Sequence, residues 1–235
     1  AEVKHFWMIW RYNILESRII NKTIKLNNKK KIMDLGCGNG VLSDQLEKNY
    51  KISIDRVDSN YETLNLNNKA KGRLVCYNIK NRNKKLKNFY DIIFIFDVIE
   101  HVKKDSKFLE DALYHLRKDG YLIINVPSLN IFYSKYDYAV GHLRRYNKGD
   151  FLKLSKKLNI KSVKTEYWGF LLIPFVIIRK IMLIFNNKKN LDKIVKKGWE
   201  TNNLINIFMK ILMKFELNFF KKQIIGTSII TVLKK

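Results

Sequence analysis

The feature that most constrains this chain is a glycine-rich turn that directly follows a short apolar run. The turn, residues 34–40, reads D-L-G-C-G-N-G. Glycines let the main chain turn sharply and approach a ligand without interference from a Cβ atom. The third glycine comes one residue too early for a dinucleotide-binding turn, and no G-K-[ST] follows as in a P-loop. Asp34 would repel a pyrophosphate, so the turn favours a ligand with an ammonium group. A plain strand-to-helix turn is the alternative.

Further apolar runs alternate with segments of helical period. The predicted strands are 31–35, 52–57, 73–77, 91–96, 121–126, 160–168 and 224–233, and the predicted helices are 41–48, 61–70, 104–117 and 150–158. This alternation predicts an α/β fold with a doubly wound, mostly parallel sheet. Ligands of such sheets bind beyond the carboxyl ends of the strands. That edge would carry Asp34, Asp58, Asn78 and Asp97.

The domain organisation follows from the same pattern. Residues 1–168 together with 223–235 are predicted to form one domain, of which 1–30 is a helical lead-in. Residues 169–222 read as an insertion of apolar helices, since 170–185 are almost wholly apolar apart from two basic residues. The connection at 128–147 has little regular pattern and is long for a compact domain, which makes it a candidate lid.

Four segments together resemble class I S-adenosylmethionine (SAM)-dependent methyltransferases. They are D-L-G-C-G-N-G, V-D-S-N, F-D-V-I-E-H-V and L-R-K-D-G-Y-L-I-I-N-V-P, in that order between residues 31 and 127. The resemblance implies a seven-stranded sheet with an antiparallel last strand, with SAM as cofactor. A later G-H-x-R-R-Y, with an early H-F-W and a late G-T-S, is similar to a subgroup associated with glycan pathways.

The resemblance also assigns cofactor contacts. It implies that Asp34 and the main chain at Gly36, Gly38 and Gly40 hold the methionine part, that Asp58 holds the ribose, and that Asn78 and Ile79 lie beside adenine. The Asp58 carboxylate can accept two charge-assisted hydrogen bonds from ribose hydroxyls. Its alternative role is to start the helix near Tyr61, where aspartate is favoured.

The segment Asp97-Val98-Ile99-Glu100-His101 matches the D-V-x-E-H of similar quinone and small-molecule methyltransferases. Asp97 would border the cofactor where the methyl group is transferred. A hydroxyl acceptor must lose a proton, and His101 and His142 are the candidate bases. A helix-capping role for His101 is the alternative. We predict no metal site, because Glu100 and His101 have no further ligands evident in the sequence.

Arg144, Arg145 and Tyr146 are the predicted substrate-binding residues. Adjacent arginines can hold a phosphate or carboxylate through forked hydrogen bonds. The alternative is that one arginine faces solvent while the other fastens the connection to an acidic residue.

A net charge of +25 indicates an anionic partner, although Lys-rich, Asn-rich composition also follows from AT-rich coding. The apolar insertion has three explanations: burial against the sheet, a homodimer interface, or contact with an anionic membrane surface. Its run at 170–185 is shorter than the roughly 20 residues that span a bilayer. With two cysteines and no secretory leader, we expect a cytoplasmic protein, peripheral to the inner membrane face if the insertion contacts lipid.

The sequence therefore predicts a SAM-dependent methyltransferase that acts on a hydroxyl or amine of a small or lipid-linked acceptor, glycan-like or quinone-like. An RNA methyltransferase is an alternative, motivated by the charge. The chain lacks the N-P-P-Y and the interleaved aromatic and basic residues typical of that class. A non-catalytic protein that binds the membrane surface is the other alternative.

Overall fold

A seven-stranded sheet forms the centre of the protein. The computed structural model describes residues 4–185 and 202–235. The strands are β1 Ile32–Leu35, β2 Ile54–Asp58, β3 Leu74–Cys76, β4 Tyr90–Phe96, β5 Leu116–Pro127, β6 Lys161–Trp168 and β7 Ser228–Lys234. Their spatial order is β3-β2-β1-β4-β5-β7-β6, and β7 runs antiparallel to both β5 and β6. The predicted doubly wound sheet with an antiparallel last strand is confirmed.

The central strand β4 shows why the apolar runs become strands. Ile92 and Phe94 point into the hydrophobic cluster on one face of the sheet, while Ile93 and Ile95 point into the cluster on the other face. All four side chains are fully or almost fully buried. A parallel sheet covered on both faces requires such continuous apolar sequence.

Helices cover both faces of the sheet. They are α1 Phe6–Ile14, α2 Val41–Tyr50, α3 Tyr61–Leu64, α4 Asp105–His115, α5 Lys135–Ala139, α6 Lys148–Lys157, α7 Ile173–Ile184 and α8 Asn203–Phe219. The helix α5 lies within the connection at 128–147, for which the sequence predicts little regular structure. Among the described residues, every helix is too short or too polar to cross a bilayer.

The helix predicted over 61–70 ends early, at Leu64. The buried Asn67 explains this, because its side-chain amide donates to the carbonyl oxygens of Leu64, at 3.0 Å, and Gly38, at 2.8 Å. Its Oδ1 accepts a hydrogen bond of 3.0 Å from Arg56 Nη1. Side chains that bond to nearby backbone carbonyls compete with helix propagation. The segment after α3 therefore fastens the glycine turn instead of extending the helix.

The lead-in helix α1 packs between the sheet and α8. Phe6 and Trp10 are buried in the hydrophobic cluster that also contains Met209 and Met213 of α8. The Phe6 main-chain N–H donates to Asn206 Oδ1 at 2.8 Å. These contacts hold α1 over the carboxyl end of the sheet, where it contributes to the site described below.

The division of the chain into one domain and an apolar helical insertion at 169–222 stays a prediction. Residues 1–3 of the lead-in and 186–201 of the insertion lie outside the described residues.

Candidate active site

The glycine turn links β1 to α2 and is tightly enclosed on its inner side. Gly36 and Gly40 have φ angles of +74° and +72°, which residues with a side chain rarely adopt. A Cβ atom at Gly36 would overlap the Val98 side chain, and one at Gly40 would overlap Asn67. A Cβ atom at Gly38 would meet no atom within 4 Å. The outer side of the turn is therefore open to a ligand.

Asp34 lies beneath this turn and is 3% exposed. Its Oδ2 accepts a hydrogen bond of 2.7 Å from Ser43 Oγ. Burial raises the pKa of Asp34 to about 6, although the Ser43 hydrogen bond and the charges of Arg11 and Arg56 act in the opposite direction. The Asp34 carboxyl lies behind the turn and does not line the cavity at the carboxyl ends of the strands, which is described next. Its contact with the ammonium group of SAM stays a prediction.

A first cavity of about 910 Å³ opens at the carboxyl ends of β1 to β4. The predicted cofactor contacts that line it are Gly36, Asp58, Asn78, Ile79 and Asp97. The fold thus brings together, at one edge of the sheet, residues that the chain separates widely. The assigned contacts with ribose and adenine stay predictions.

The Asp58 carboxylate is held at the wall of the first cavity by two main-chain donors. Its Oδ2 accepts from the Gly38 N–H at 3.1 Å, and its Oδ1 accepts from the Asn60 N–H at 2.9 Å. Each carboxylate oxygen retains lone-pair capacity for a further donor such as a hydroxyl group. The helix-starting role goes to Asn60, whose side chain accepts from the Thr63 N–H at the N-terminus of α3. Asp58 is thereby left to face the cavity.

Asp97 follows β4 with a φ of +57°, uncommon for a residue other than glycine. Its Oδ2 forms a 2.6 Å ion pair with Arg11 Nη1, and its Oδ1 accepts from Asn125 Nδ2 at 2.9 Å. Arg11 comes from α1, far away in the chain, and also lies over the Phe96 ring. Arg11 was not predicted as a site residue, because nothing in the sequence of residues 1–30 links it to Asp97.

A second cavity of about 230 Å³ adjoins the first. Both cavities are lined by Asp97 and His101, so these two residues mark their junction. The other polar residues of the second cavity include Glu100, His142, Arg145, Arg179 and Ser228. The rest of its wall is largely apolar or aromatic.

The hydrogen bonds of the two histidines define their tautomers. His101 Nδ1 lies 3.1 Å from the Gly141 carbonyl oxygen, and His142 Nδ1 lies 2.9 Å from Asp137 Oδ1. Both partners accept, so each Nδ1 carries a proton, and in the neutral form of either ring Nε2 is the proton acceptor. Burial and the neighbouring His142 lower the pKa of His101, which keeps its ring neutral at neutral pH. Both candidate bases therefore lie together, with ring centroids 4.9 Å apart.

Asp137 is a site residue that the sequence did not reveal. It is fully buried on α5, where Arg145 donates to both of its carboxylate oxygens, at 2.8 and 3.1 Å. Burial alone would raise the pKa of Asp137, but the His142 hydrogen bond and the Arg145 charge lower it to about 2. An ionised Asp137 orients His142 with its Nε2 toward the second cavity.

Glu100 is fully buried at the wall of the second cavity, and neither of its carboxylate oxygens has a hydrogen-bond partner among the described residues. Burial and the nearby Asp97 raise the pKa of Glu100 well above its ordinary value. Glu100, His101 and His142 each offer one ligand atom within 4.8 Å of the others, a set that could hold a metal ion. The sequence showed the first two side by side, and the fold adds His142 as a third candidate.

The predicted substrate-binding residues separate into two groups. Arg145 lines the second cavity, with its guanidinium fastened to Asp137. Arg144 Nη1 instead donates to Asp105 Oδ2 at 3.0 Å, and the Tyr146 hydroxyl donates to the same oxygen at 3.0 Å. Neither of these two side chains lines either cavity. The ion pairs of Arg145 with Asp137 and of Arg144 with Asp105 match the alternative in which an arginine fastens the connection to an acidic residue. The role of Arg144, Arg145 and Tyr146 toward substrate stays a prediction.

Comparison with known proteins shows the family of this chain. A family model described as a methyltransferase domain matches residues 10–165. A ubiquinone biosynthesis O-methyltransferase of Rickettsia prowazekii is 25% identical over 229 residues, covering 91% of this chain and 84% of that protein.

Solved structures give the same fold. A SAM-dependent methyltransferase from Archaeoglobus fulgidus superimposes with a TM-score of 0.58 at 15% identity, covering 98% of both chains. Phosphoethanolamine N-methyltransferase 2 of Haemonchus contortus, solved with SAM, gives 0.60 at 14% identity, covering 98% of this chain and 57% of that one. The alternatives of an RNA methyltransferase and a non-catalytic surface protein are not favoured. With the family model spanning most of the chain, this protein belongs to the class I SAM-dependent methyltransferases and uses SAM as its cofactor.

Proposed function

We propose that the protein transfers the methyl group of SAM to a hydroxyl group of a small aromatic, quinone-like acceptor, which can carry a lipid tail. The observation that supports this most directly is the junction of the two cavities at Asp97 and His101. One cavity suits the cofactor and the other suits an apolar ring. The relative named as a ubiquinone biosynthesis O-methyltransferase points to the same class of acceptor.

The first cavity has donors and acceptors that fit SAM. The open outer side of the turn at Gly38 suits close approach of the methionine part, and the Asp58 carboxylate suits the ribose hydroxyls. Asn78 and Ile79 line the far part of the cavity, where adenine would lie. When bound, SAM supplies a methyl group that is activated for displacement by its sulfonium.

The histidines would take the proton that the acceptor hydroxyl loses. His101 lies at the junction with an unprotonated Nε2, and His142 stands behind it, oriented by Asp137. Holding the acceptor oxygen in line with the methyl group is the larger task of the site, since positioning can supply much of the acceleration. Proton removal by a well-placed base adds roughly 10²–10⁴-fold.

The test is calorimetric SAM binding together with the formation of S-adenosylhomocysteine from phenolic acceptors. Asp58→Ala is expected to weaken SAM binding at least about tenfold, because charge-assisted hydrogen bonds are lost. Asp55→Ala is the matched control, since Asp55 is on the same strand but bonds to Arg73 away from the first cavity. His101→Gln should retain SAM affinity while kcat falls about 100-fold or more. Unchanged SAM affinity in Asp58→Ala would overturn the cofactor assignment.

The outer faces of α7 and α8 are proposed to contact an anionic membrane surface, at the cytoplasmic side. Large apolar side chains are exposed along both helices: Ile177, Ile178, Ile181, Met182, Ile184, Leu204, Ile207, Phe208, Ile211, Phe215 and Phe219. Lysines accompany them at positions 210, 214, 221 and 222, and the whole chain is strongly basic. Apolar faces flanked by lysines bind anionic bilayers. A lipid-tailed acceptor would then be available at the same surface.

Vesicle flotation tests this contact. Binding is expected to phosphatidylglycerol-containing vesicles, to be weaker to phosphatidylcholine alone, and to decline when Ile178 and Ile181 are both replaced by serine. Leu152→Ser is the control, because Leu152 is similarly exposed but lies on α6. A chain that fails to float and sediments as a dimer, which the double variant dissociates, would assign this face to a second copy instead.

A further inference from the structure

Ser228 is the first residue of β7, the strand that runs antiparallel to both of its neighbours. Because of this reversed direction, β7 begins at the carboxyl edge of the sheet, where β5 and β6 end. Ser228 lies directly opposite Pro127 of β5 and Trp168 of β6. The late G-T-S segment, residues 226–228, therefore reaches the candidate active site although it follows the other site residues by many positions in the chain.

The Ser228 hydroxyl is a buried polar group that the protein itself does not use. Ser228 is 1% exposed and lines the second cavity, but it does not line the first. Among the residues that the structure describes, none forms a hydrogen bond with this hydroxyl. A buried hydroxyl normally has a partner, because leaving it unpaired costs free energy. A molecule in the second cavity can supply that partner.

The polar groups beside Ser228 are already bonded within the protein. Thr227 also lines the second cavity, and its Oγ1 donates to the Gly169 carbonyl oxygen at 3.2 Å. The Trp168 indole N–H donates to Asn125 Oδ1 at 2.9 Å. Ser228 thus differs from these neighbours, since its hydroxyl alone is left for a ligand.

The surroundings of this hydroxyl are apolar. Pro127 and Trp168 share the face of the sheet on which Ser228 lies, because directly opposed residues of paired strands point to the same side. Leu172 and Val176 are further apolar residues in the wall of the same cavity. A hydrogen bond is stronger in such surroundings than in water. A site built to form one therefore discriminates against a ligand that lacks the matching group.

The place of Ser228 in the second cavity indicates which part of an acceptor it meets. Asp97 and His101 line both cavities, whereas Ser228 lines the second alone. An acceptor whose reacting hydroxyl is at the junction would present a different part of its ring to Ser228. A serine hydroxyl can both donate and accept, so it matches an uncharged hydroxyl, carbonyl or ether oxygen.

We propose that Ser228 is a specificity-determining residue that forms a hydrogen bond with a second, uncharged oxygen substituent of the methyl acceptor. This inference rests on the proposed function, because it assigns the second cavity to a quinone-like acceptor. It adds the residue that distinguishes such an acceptor from a ring of the same shape with an apolar substituent.

Calorimetric titration of the full chain, loaded with S-adenosylhomocysteine, tests the inference without turnover. The probes are catechol, resorcinol and hydroquinone, each matched with the methylphenol that carries a methyl group in place of the second hydroxyl. At least one dihydroxybenzene is expected to bind about tenfold more tightly than its matched methylphenol, as one hydrogen bond in an apolar cavity provides. The isomer with the largest ratio of affinities identifies the ring position that meets Ser228.

Ser228→Ala should abolish this ratio and leave the affinity for the methylphenols unchanged. Thr227→Val is the matched control, because it also removes a hydroxyl from the cavity wall, but one that is bonded to Gly169. The control should retain the ratio. Since the Ser228 hydroxyl forms no hydrogen bond with the described residues, Ser228→Ala should not lower the thermal unfolding midpoint.

A native protein that binds each matched pair equally overturns the inference, and so does a ratio that Ser228→Ala leaves unchanged. A lowered unfolding midpoint in Ser228→Ala, with an equal loss of both kinds of probe, would mark a structural role and also overturn it. If the ratio and its loss are observed but no phenolic compound is methylated, the proposed function fails while the hydrogen bond assigned to Ser228 stands.

Discussion

Replacing Asp34 by asparagine is expected to stabilise the free protein at neutral pH by roughly 3 kcal/mol. Burial raises the pKa of Asp34 from 3.8 to about 6, and each unit of difference corresponds to about 1.4 kcal/mol. The folded state holds this proton more tightly than the unfolded state does. The stabilising contribution is therefore complete below about pH 4 and is lost as the pH rises through about 6. Asparagine resembles the protonated carboxyl and can still accept from Ser43.

Urea unfolding of the native protein and the Asp34→Asn variant between about pH 4 and pH 8 measures this difference directly. The free energies of unfolding should nearly coincide at the acidic end and separate by about 3 kcal/mol above pH 7. Ser43→Ala is an informative companion variant. This change removes the hydrogen bond that lowers the pKa of Asp34, so that pKa should rise further. Stability should then continue to fall up to a higher pH than in the native protein.

A difference that does not change with pH, or an asparagine variant that is less stable at pH 7, would refute the reasoning. Either outcome would mean that Arg11 and Arg56 compensate the Asp34 charge fully. SAM titration of the same variant tests the ligand role. If a buried carboxylate is retained at this cost in stability in order to attract an ammonium group, the variant must bind SAM more weakly while being more stable.

Two further predictions concern the support of the turn. Arg56→Met should destabilise the fold by about 3–5 kcal/mol in urea unfolding, because it leaves the buried Glu47 without its 2.7 Å ion-pair partner. Arg73→Met is the control: it removes the exposed ion pair with Asp55 and should cost no more than about 1 kcal/mol. Gly38→Ala should destabilise the fold by roughly 1–2 kcal/mol, because the φ angle of Gly38 is positive. Gly40→Ala should destabilise it more, because Gly40 has a positive φ and is also enclosed by side chains. Equal shifts of the thermal unfolding midpoint in the two variants would contradict this.

The sheet was predictable because its strands need buried, continuous apolar sequence. β4 and β6 lie within a residue of their predicted bounds, while β5 begins earlier than expected, at Leu116, where it pairs with Tyr90. That extension contains Arg117, Lys118 and Asp119, whose side chains are polar and exposed. A pattern of apolar residues therefore does not predict a strand there. The end of α3 escaped prediction for a different reason, since it depends on a tertiary contact of one asparagine.

The first cavity was more predictable than the second. Asp58, Asn78 and Asp97 each follow a strand of one parallel sheet, so topology alone brings them to a common edge. The second cavity instead depends on α1, α5 and α7, whose positions come from packing rather than from strand order. Arg11 and Asp137 carry no local signal of their function, and only the folded chain shows that Arg11 pairs with Asp97 and that Asp137 pairs with Arg145.

Arg11 also connects the lead-in helix to the chemistry of the site. Its ion pair with Asp97 is held from the other side by Asn125, which in turn accepts from the Trp168 indole at 2.9 Å. The Trp168 ring packs on Trp7, a lining residue of the second cavity. Because α1 is also bonded to α8 through its first residue, the outer apolar helices, the lead-in and the junction of the cavities form one packed unit. The contacts of α1 therefore join α8, one of the two helices proposed to face a bilayer, to Asp97 at the junction of the cavities.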